Sequence, residues 1–559
     1  MTDKIIHAPN PDVAVGELDL EKVPGGRSYA ELSPEQQERY GKTRRGLSSR
    51  HMQLITIGSS IGTGMFIGIG SALARSGPLS VFLAFTIYSV FVLFPLFMAA
   101  SEMCTWLPVR GSIFQFAERY VHPALGFAGG YIYWYGALML VCSDFVGAVS
   151  VVQFWDDKTN PAWYLLALIC ISLILNVVAV RWYGEIEFVT ASFKILLMLG
   201  LILATFITML GGNPNHDRYG FRHWKNPMKE YLVEGGLGRF LGFWRIFIYA
   251  GFACGGPDVI MMCSGEVQNP RKVIPAAARK IYLRLGLFYI VGTFALGIIC
   301  DSNSPALLAS IENGGSGSAA SPWVIGLRDL GVNGLANLVN AVVLTSAWSC
   351  GNAYVYAASR TLYALSIDGK APAIFQKCNK AGVPIYALAV VGLVSCLTFL
   401  TANNSTAVVL NWFINLSAIS LLMTYMVILF TYTRFRKAVI SQMGSTATLP
   451  FTTPFNLQPY ISWVGFAFCG VVVFFNGFYI FWPGAFTAAG FLTSYFGIPA
   501  FAVAWVFWKL YKKPIHTVKV HEADMWSGKQ EIDEEEEEFV IAQAGKPKAW
   551  YDKILDFLF

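Results

Sequence analysis

The chain predicts an all-α membrane protein of about twelve transmembrane helices, and three observations carry that prediction. Its 559 residues are 55% hydrophobic and only 14% charged, with a mean hydropathy of +0.50, far more apolar than a soluble protein of this length. Apolar runs long enough for a bilayer core of roughly 30 Å recur about twelve times. Basic residues collect beside alternate runs, the asymmetry that fixes which loops stay in the cytosol.

Residues 1–50 are polar, carry Pro9, Pro11, Pro24 and Pro34, and read as a disordered cytosolic tail without the apolar core of a cleavable signal. Lys42, Arg44, Arg45 and Arg50 close that tail against the first run. The membrane domain, 51–513, then holds runs near 52–73, 79–103, 124–152, 162–181, 186–211, 240–263, 281–300, 333–364, 383–402, 408–433, 460–482 and 487–510. Loops assigned to the cytosol carry Arg110 and Arg119, Arg181, Arg271 to Arg284, Lys370 to Lys380, Arg434 to Lys437, and Lys509 to Lys513. Outer loops are mostly short and neutral, except 213–239, which is long enough for a folded cap. Sequons at Asn403 and Asn404 face outward but lie very close to the membrane. The tail 514–559 is acidic from Asp533 to Glu538 and reads as solvated, with a final amphipathic segment, AWYDKILDFLF, suited to a membrane surface.

Two runs are anomalous. The first contains GSSIGTGMFIGIG, Gly58 to Gly70, where an ordinary spanning helix carries leucine and isoleucine. The sixth contains FACGGPDVI, in which Gly255, Gly256 and Pro257 break the hydrogen-bond ladder in mid-crossing, just before Asp258. Interrupted backbone at that depth is tolerable where it lines a cavity or meets a ligand. Two interruptions five spans apart are what an inverted repeat of spans one to five and six to ten predicts, with two extra helices after it. Freed amides attract an anion and freed carbonyls a cation, so a small zwitterion fits between the breaks. The alternative is close helix packing, which the GxxxG spacings at Gly58 and Gly62 and at Gly64 and Gly68 support.

RGLSSRHMQLITIGSSIGTGMFIG, GEIEF with Lys194, GEVQNPRKVIP and YVYAASRTLYALSIDGKAP together resemble the fungal amino-acid permeases of the amino acid, polyamine and organocation superfamily. The likeness runs from about Arg44 to Lys513. It implies proton-coupled import of amino acids across the plasma membrane by alternating access, with both termini cytosolic. By matching positions, Ser60, Gly62, Thr63 and Gly64 would bind the substrate carboxylate. Carbonyls near Phe252, Ala253 and Gly255 would take the ammonium, with Phe252 gating or packing on the side chain. Specificity stays open between a broad neutral range and a proline-type preference.

Lys194 lies roughly 13 Å inward from Glu185 at 1.5 Å per residue, near mid-membrane, where a lysine costs about 2.5 to 3.5 kcal/mol. It either snorkels, pairs structurally, or serves as the built-in cation that the resemblance implies, its protonation coupling transport. Asp144, the lone acid of the third run, and Asp258 stand where the family commonly has glutamate. Each is a methylene shorter, which changes where a carboxylate reaches. Asp144 is read as substrate-binding and Asp258 as gating or structural. Glu102, Glu118, Glu266 and Arg360 are expected in an inner network, Glu266 with Arg271 and Lys272.

The ten scattered cysteines and seven histidines offer no C-x-x-C and no H-E-x-x-H, and the net charge of +6 reads as topology, so neither metal nor nucleic acid is expected. No cofactor is expected beyond a proton gradient. An integral membrane enzyme is disfavoured by the lack of a nucleophile elbow or Walker loop, and a channel by the lack of a ring of like charges. A non-transporting amino-acid receptor of the same fold remains the rival. Lys4, Lys22 and Lys42 are candidate ubiquitin acceptors, and partners are otherwise the amino acid, the proton and the bilayer.

Overall fold

The computed structural model describes residues 49–109, 111–156, 158–178, 180–312, 321–379, 382–512 and 516–543. The N-terminal tail with its lysines, the loop Asn313 to Ser318 and the terminal amphipathic segment lie outside them. The described residues form helices joined by loops, with no extended strand. Eight helices are long and apolar enough to cross a membrane, or nine if Ala488–Tyr495 and Gly497–Tyr511, bent by 51°, count as one span. Pro161–Val178, Pro270–Ile299 and Leu335–Ile367 stand at the fourth, seventh and eighth positions of the predicted order. The fourth is described only as far as Val178, the seventh opens on the basic PRKVIPAAARK, and the eighth buries Asn340, Ser346, Ser349, Asn352 and Arg360.

Proline begins many of these helices, at Pro78, Pro123, Pro161, Pro257, Pro270 and Pro322, where its missing N–H is no loss. The third span, Pro123–Val152, runs through the interior, packed against the eighth, the tenth and the last. The fifth, Val180–Met209, sits at the edge and shows how a spanning helix divides its faces. Val189, Phe193, Leu196, Leu203, Ile207 and Leu210 are exposed along one stripe. Glu187, Ala191, Lys194, Met198, Leu201 and Thr205 are buried along the other, spaced three and four apart. The apolar stripe belongs to lipid, and the polar pair turns inward.

At the end that the charge pattern assigns to the outside, the 213–239 loop forms the expected cap. Lys229 donates to the carbonyls of Ala74 (2.9 Å) and Ser302 (2.7 Å), and Trp224 packs on Phe82 and Phe294. At the opposite end the C-terminal tail departs from the expectation of a solvated acidic run. Arg271 pairs with Asp533 and Glu536, Trp106 Nε1 donates to the Met525 carbonyl (3.0 Å), and Arg119 donates to that of Ser527 (2.9 Å). Asp533 and Glu536 thus share one basic partner on the bundle, while Glu534, Glu537 and Glu538 stay exposed.

Candidate functional site

The first span runs Ser49–Ser60, bends at Ile61 and Gly62, continues as a π-helical turn, Gly64–Gly68, and finishes as Ile69–Ser76. The bend frees the carbonyls just before it, and other helices supply donors to these and to two carbonyls of the π-turn. Lys194 Nζ donates to Gly58 O (2.5 Å), Cys350 Sγ to Ser59 O (3.1 Å), Tyr289 OH to Ser60 O (2.9 Å) and Ser346 Oγ to Ile61 O (3.1 Å). Tyr249 OH donates to Gly64 O (2.6 Å) and Trp323 Nε1 to Met65 O (3.1 Å). The sixth span breaks harder: Gly235–Ala253 stops, Cys254 to Gly256 is unwound, and Pro257–Cys263 resumes. Gly256 has φ +122°, a conformation closed to residues with a β-carbon.

The two breaks lie side by side, with Ser60 Oγ between Thr56 O of its own helix (2.6 Å) and Gly255 O of the sixth span (3.0 Å), which share its one proton. Two of the carbonyls that the resemblance gives to the ammonium already face shared donors: Ala253 O lies 3.1 Å from the Tyr289 hydroxyl, whose one proton Ser60 O also faces, and Gly255 O lies 3.0 Å from Ser60 Oγ; the Cys254 carbonyl between them accepts from Tyr425 (3.3 Å). A carbonyl has two lone pairs, so each retains one acceptor site. Phe252 and Ala253 are buried beside Gly64. The carboxylate side is likewise occupied. Asp144 Oδ1 accepts from Thr63 Oγ1 (2.6 Å) and from Thr63 N (3.4 Å), where the second half of the first helix begins. Its Oδ2 is buried without a hydrogen-bond partner. A protein carboxylate therefore sits where a substrate carboxylate is expected.

The glycines stand at close helix contacts, as the packing reading expects. A β-carbon at Gly62 would stand 2.6 Å from Cys350 Sγ, and one at Gly64 would stand 2.8 Å from Ala253 Cβ. One at Gly58 would overlap Glu187.

Lys194 is fully buried and does not snorkel. Besides Gly58 O it faces Glu187 Oε1 at 3.8 Å, and Ser349 Oγ lies 2.8 Å from both Glu187 oxygens. Glu187 was not singled out from the sequence, although it lies in GEIEF. The signal was its spacing: seven residues before Lys194, two helical turns, puts both on one face. Asp258 Oδ1, in the first turn of the half-helix after the sixth break, accepts from the Gly256 N–H (3.1 Å) and so ties that turn to the unwound backbone. Glu266 pairs with Arg360 (3.1 Å) and accepts from Tyr356 (2.5 Å), rather than joining Arg271 and Lys272, because Arg271 is engaged by the tail. Glu102 accepts from Tyr432 (2.5 Å) and Thr453 N (2.7 Å), and Glu118 pairs with Lys370. Among the described residues no cluster of His, Cys, Asp and Glu could hold a metal ion.

A family model described as amino acid permease matches residues 51–517. A proline-specific permease of Emericella nidulans is 39% identical over 526 residues, 93% of this chain and 94% of that protein. A proline-specific permease of Saccharomyces cerevisiae is 38% identical, covering 97% of this chain and 86% of its own length. A general amino acid permease of the same yeast is also 38% identical, over 82% of this chain and 77% of that protein. The chain belongs to the amino acid permease family and is a multi-pass membrane transporter of amino acids, not an enzyme.

Proposed function

We propose that the chain is a proton-driven symporter of the plasma membrane, with both termini in the cytosol, that imports amino acids with proline-type selectivity by alternating access. One observation carries the coupling: the buried Lys194–Glu187 pair is seated on the Gly58 carbonyl, one turn before the first break. A buried ion pair is sensitive to the loss of either charge, so a change in protonation there acts directly on the backbone that must move. Asp144 adds to this. A substrate carboxylate arriving at Thr63 must displace the Asp144 carboxylate or meet it protonated, because two anions cannot share one helix N-terminus cheaply. The proton gradient is the driving force, without a cofactor, and ubiquitin at Lys4, Lys22 and Lys42 is the candidate route of turnover.

Proline-type selectivity is supported by the relatives named proline-specific. The general amino acid permease among the relatives favours a second reading, a broad neutral range. Labelled proline uptake in a transport-deficient cell, with twenty amino acids as competitors, decides between them. Accumulation that grows as external pH falls, with proline the strongest competitor, is expected. Binding without accumulation would instead mark a receptor, and equal competition by many neutral amino acids a broad carrier.

A further inference from the structure

The outer ends of the first, sixth and tenth spans line a small, partly open cleft of about 40 Å3. Arg75, in the last turn of the first span, and Arg245, within Gly235–Ala253, both line it. Among the described residues neither has a carboxylate partner. Arg245 is held in place instead by aromatic rings: its guanidinium carbon stands 4.1 Å from the Tyr479 centroid and 4.9 Å from that of Tyr231, whose hydroxyl accepts a hydrogen bond from it. Arg75 makes no hydrogen bond within the described protein. Two cations in one half-enclosed cleft, without an acid to balance them, are costly unless an anion visits.

The tenth span supplies the complementary half. Asn411 spends its Nδ2 on the Ala407 carbonyl (2.9 Å), and Asn415 spends its Nδ2 on the Tyr479 hydroxyl (3.2 Å). Their Oδ1 atoms accept no bond from the described protein and remain free as acceptors. Guanidinium groups and amide oxygens in one cleft match a carboxylate and an ammonium on one small molecule. Tyr249 also lines this cleft, and its hydroxyl is the one bonded to Gly64 O. The cleft therefore ends on the backbone of the first break.

We propose that this cleft is an outer loading site, in which Arg75 and Arg245 hold the carboxylate of an incoming zwitterionic amino acid before it reaches the interrupted helices. The proposal rests on the transport reading above. Its two cations also repel amino acids with cationic side chains, so the cleft filters as well as collects.

The test measures initial uptake against concentration, using whichever labelled amino acid the competition panel ranks first. A substrate other than proline then defeats the proline reading and leaves this test intact. Arg75→Gln and Arg245→Gln are each expected to raise KM about tenfold, the scale of one lost charge-assisted contact, with tagged protein at the cell surface in wild-type amount. Arg245→Lys, which keeps the charge, is expected to recover KM to within about threefold of wild type. Replacing external chloride by gluconate is expected to leave the wild-type KM unchanged. Wild-type KM in both glutamine variants overturns the proposal. So does a lysine variant no better than glutamine, which would assign Arg245 to packing, or a KM that follows chloride, which would make the cleft a site for inorganic anions. Should Arg245→Gln fail to reach the surface, Arg75→Gln decides alone, because that guanidinium bonds to nothing in the described protein.

Discussion

The two interrupted helices are held open by opposite means. The sixth is broken by its own covalent chemistry, with Pro257 lacking an N–H and Gly256 at φ +122°. The first contains no proline and only bends at Ile61 and Gly62, and its irregular carbonyls are held by donors from other helices, among them Lys194, Tyr289, Ser346 and Tyr249. A break written into the chain is permanent. A break held by side-chain donors can be released by moving them, and among these donors Lys194 carries a titratable charge. The difference assigns the fixed wall of the site to the sixth span and the responsive wall to the first.

The comparison can be broken most sharply at Gly256. Gly256→Ala forces a β-carbon into a conformation that excludes it and onto Ser60 Oγ, costing at least about 2 kcal/mol, and is expected to abolish surface protein measured by tag. Next comes the ion pair. Lys194→Met alone strands Glu187 in a fully buried setting, a loss of about 3 to 5 kcal/mol, whereas Lys194→Met with Glu187→Gln removes both charges. Detergent-extracted protein is therefore expected to melt much earlier for the single variant than for the double, and equal melting would show that the pair does not matter to the fold. Gly64→Ala is milder. Its β-carbon meets Ala253, so surface expression should drop only partly while uptake drops more; an unchanged uptake rate would reduce the glycine to a spacer.

The smallest effect is expected at the outer cap. The Arg222 guanidinium beside Asp217 (2.7 Å) holds that carboxyl below the usual carboxylate range. A carboxyl lowered on folding stabilises above its ordinary pKa, about 3.9, and that contribution fades as pH falls through the lowered value. The pair is exposed, so Arg222→Ala should leave uptake within about twofold of wild type between pH 4 and 7.

Much of this was legible in the chain because composition and periodicity act locally. The apolar runs fixed the order of the spans, and Gly255, Gly256 and Pro257 announced the harder break through their own backbone limits. Lys194 was conspicuous because charge is rare at that depth. Its partner Glu187 was passed over because it sits nearer the end of the run, where acids are common, and only its seven-residue spacing ties it to Lys194. The hydroxyls that hold the first break, from Tyr249, Tyr289 and Ser346, lie far away in sequence and look ordinary where they stand. The pairing of Arg271 with Asp533 and Glu536 was hidden for the same reason, since charge alone does not say which of several nearby acids a given arginine will meet. Asp144 was visible as a buried acid, but its place at Thr63 depends on how two helices pack.

The central claim is that the Lys194–Glu187 pair links protonation to the first break, and the most direct measurement is the pH dependence of initial amino-acid uptake in Lys194→Met with Glu187→Gln, at matched surface expression. Uptake that persists but no longer rises between external pH 7 and pH 5 is the predicted result. A pH profile parallel to that of the wild type would contradict the claim and move coupling elsewhere, with Asp144 the next group to test.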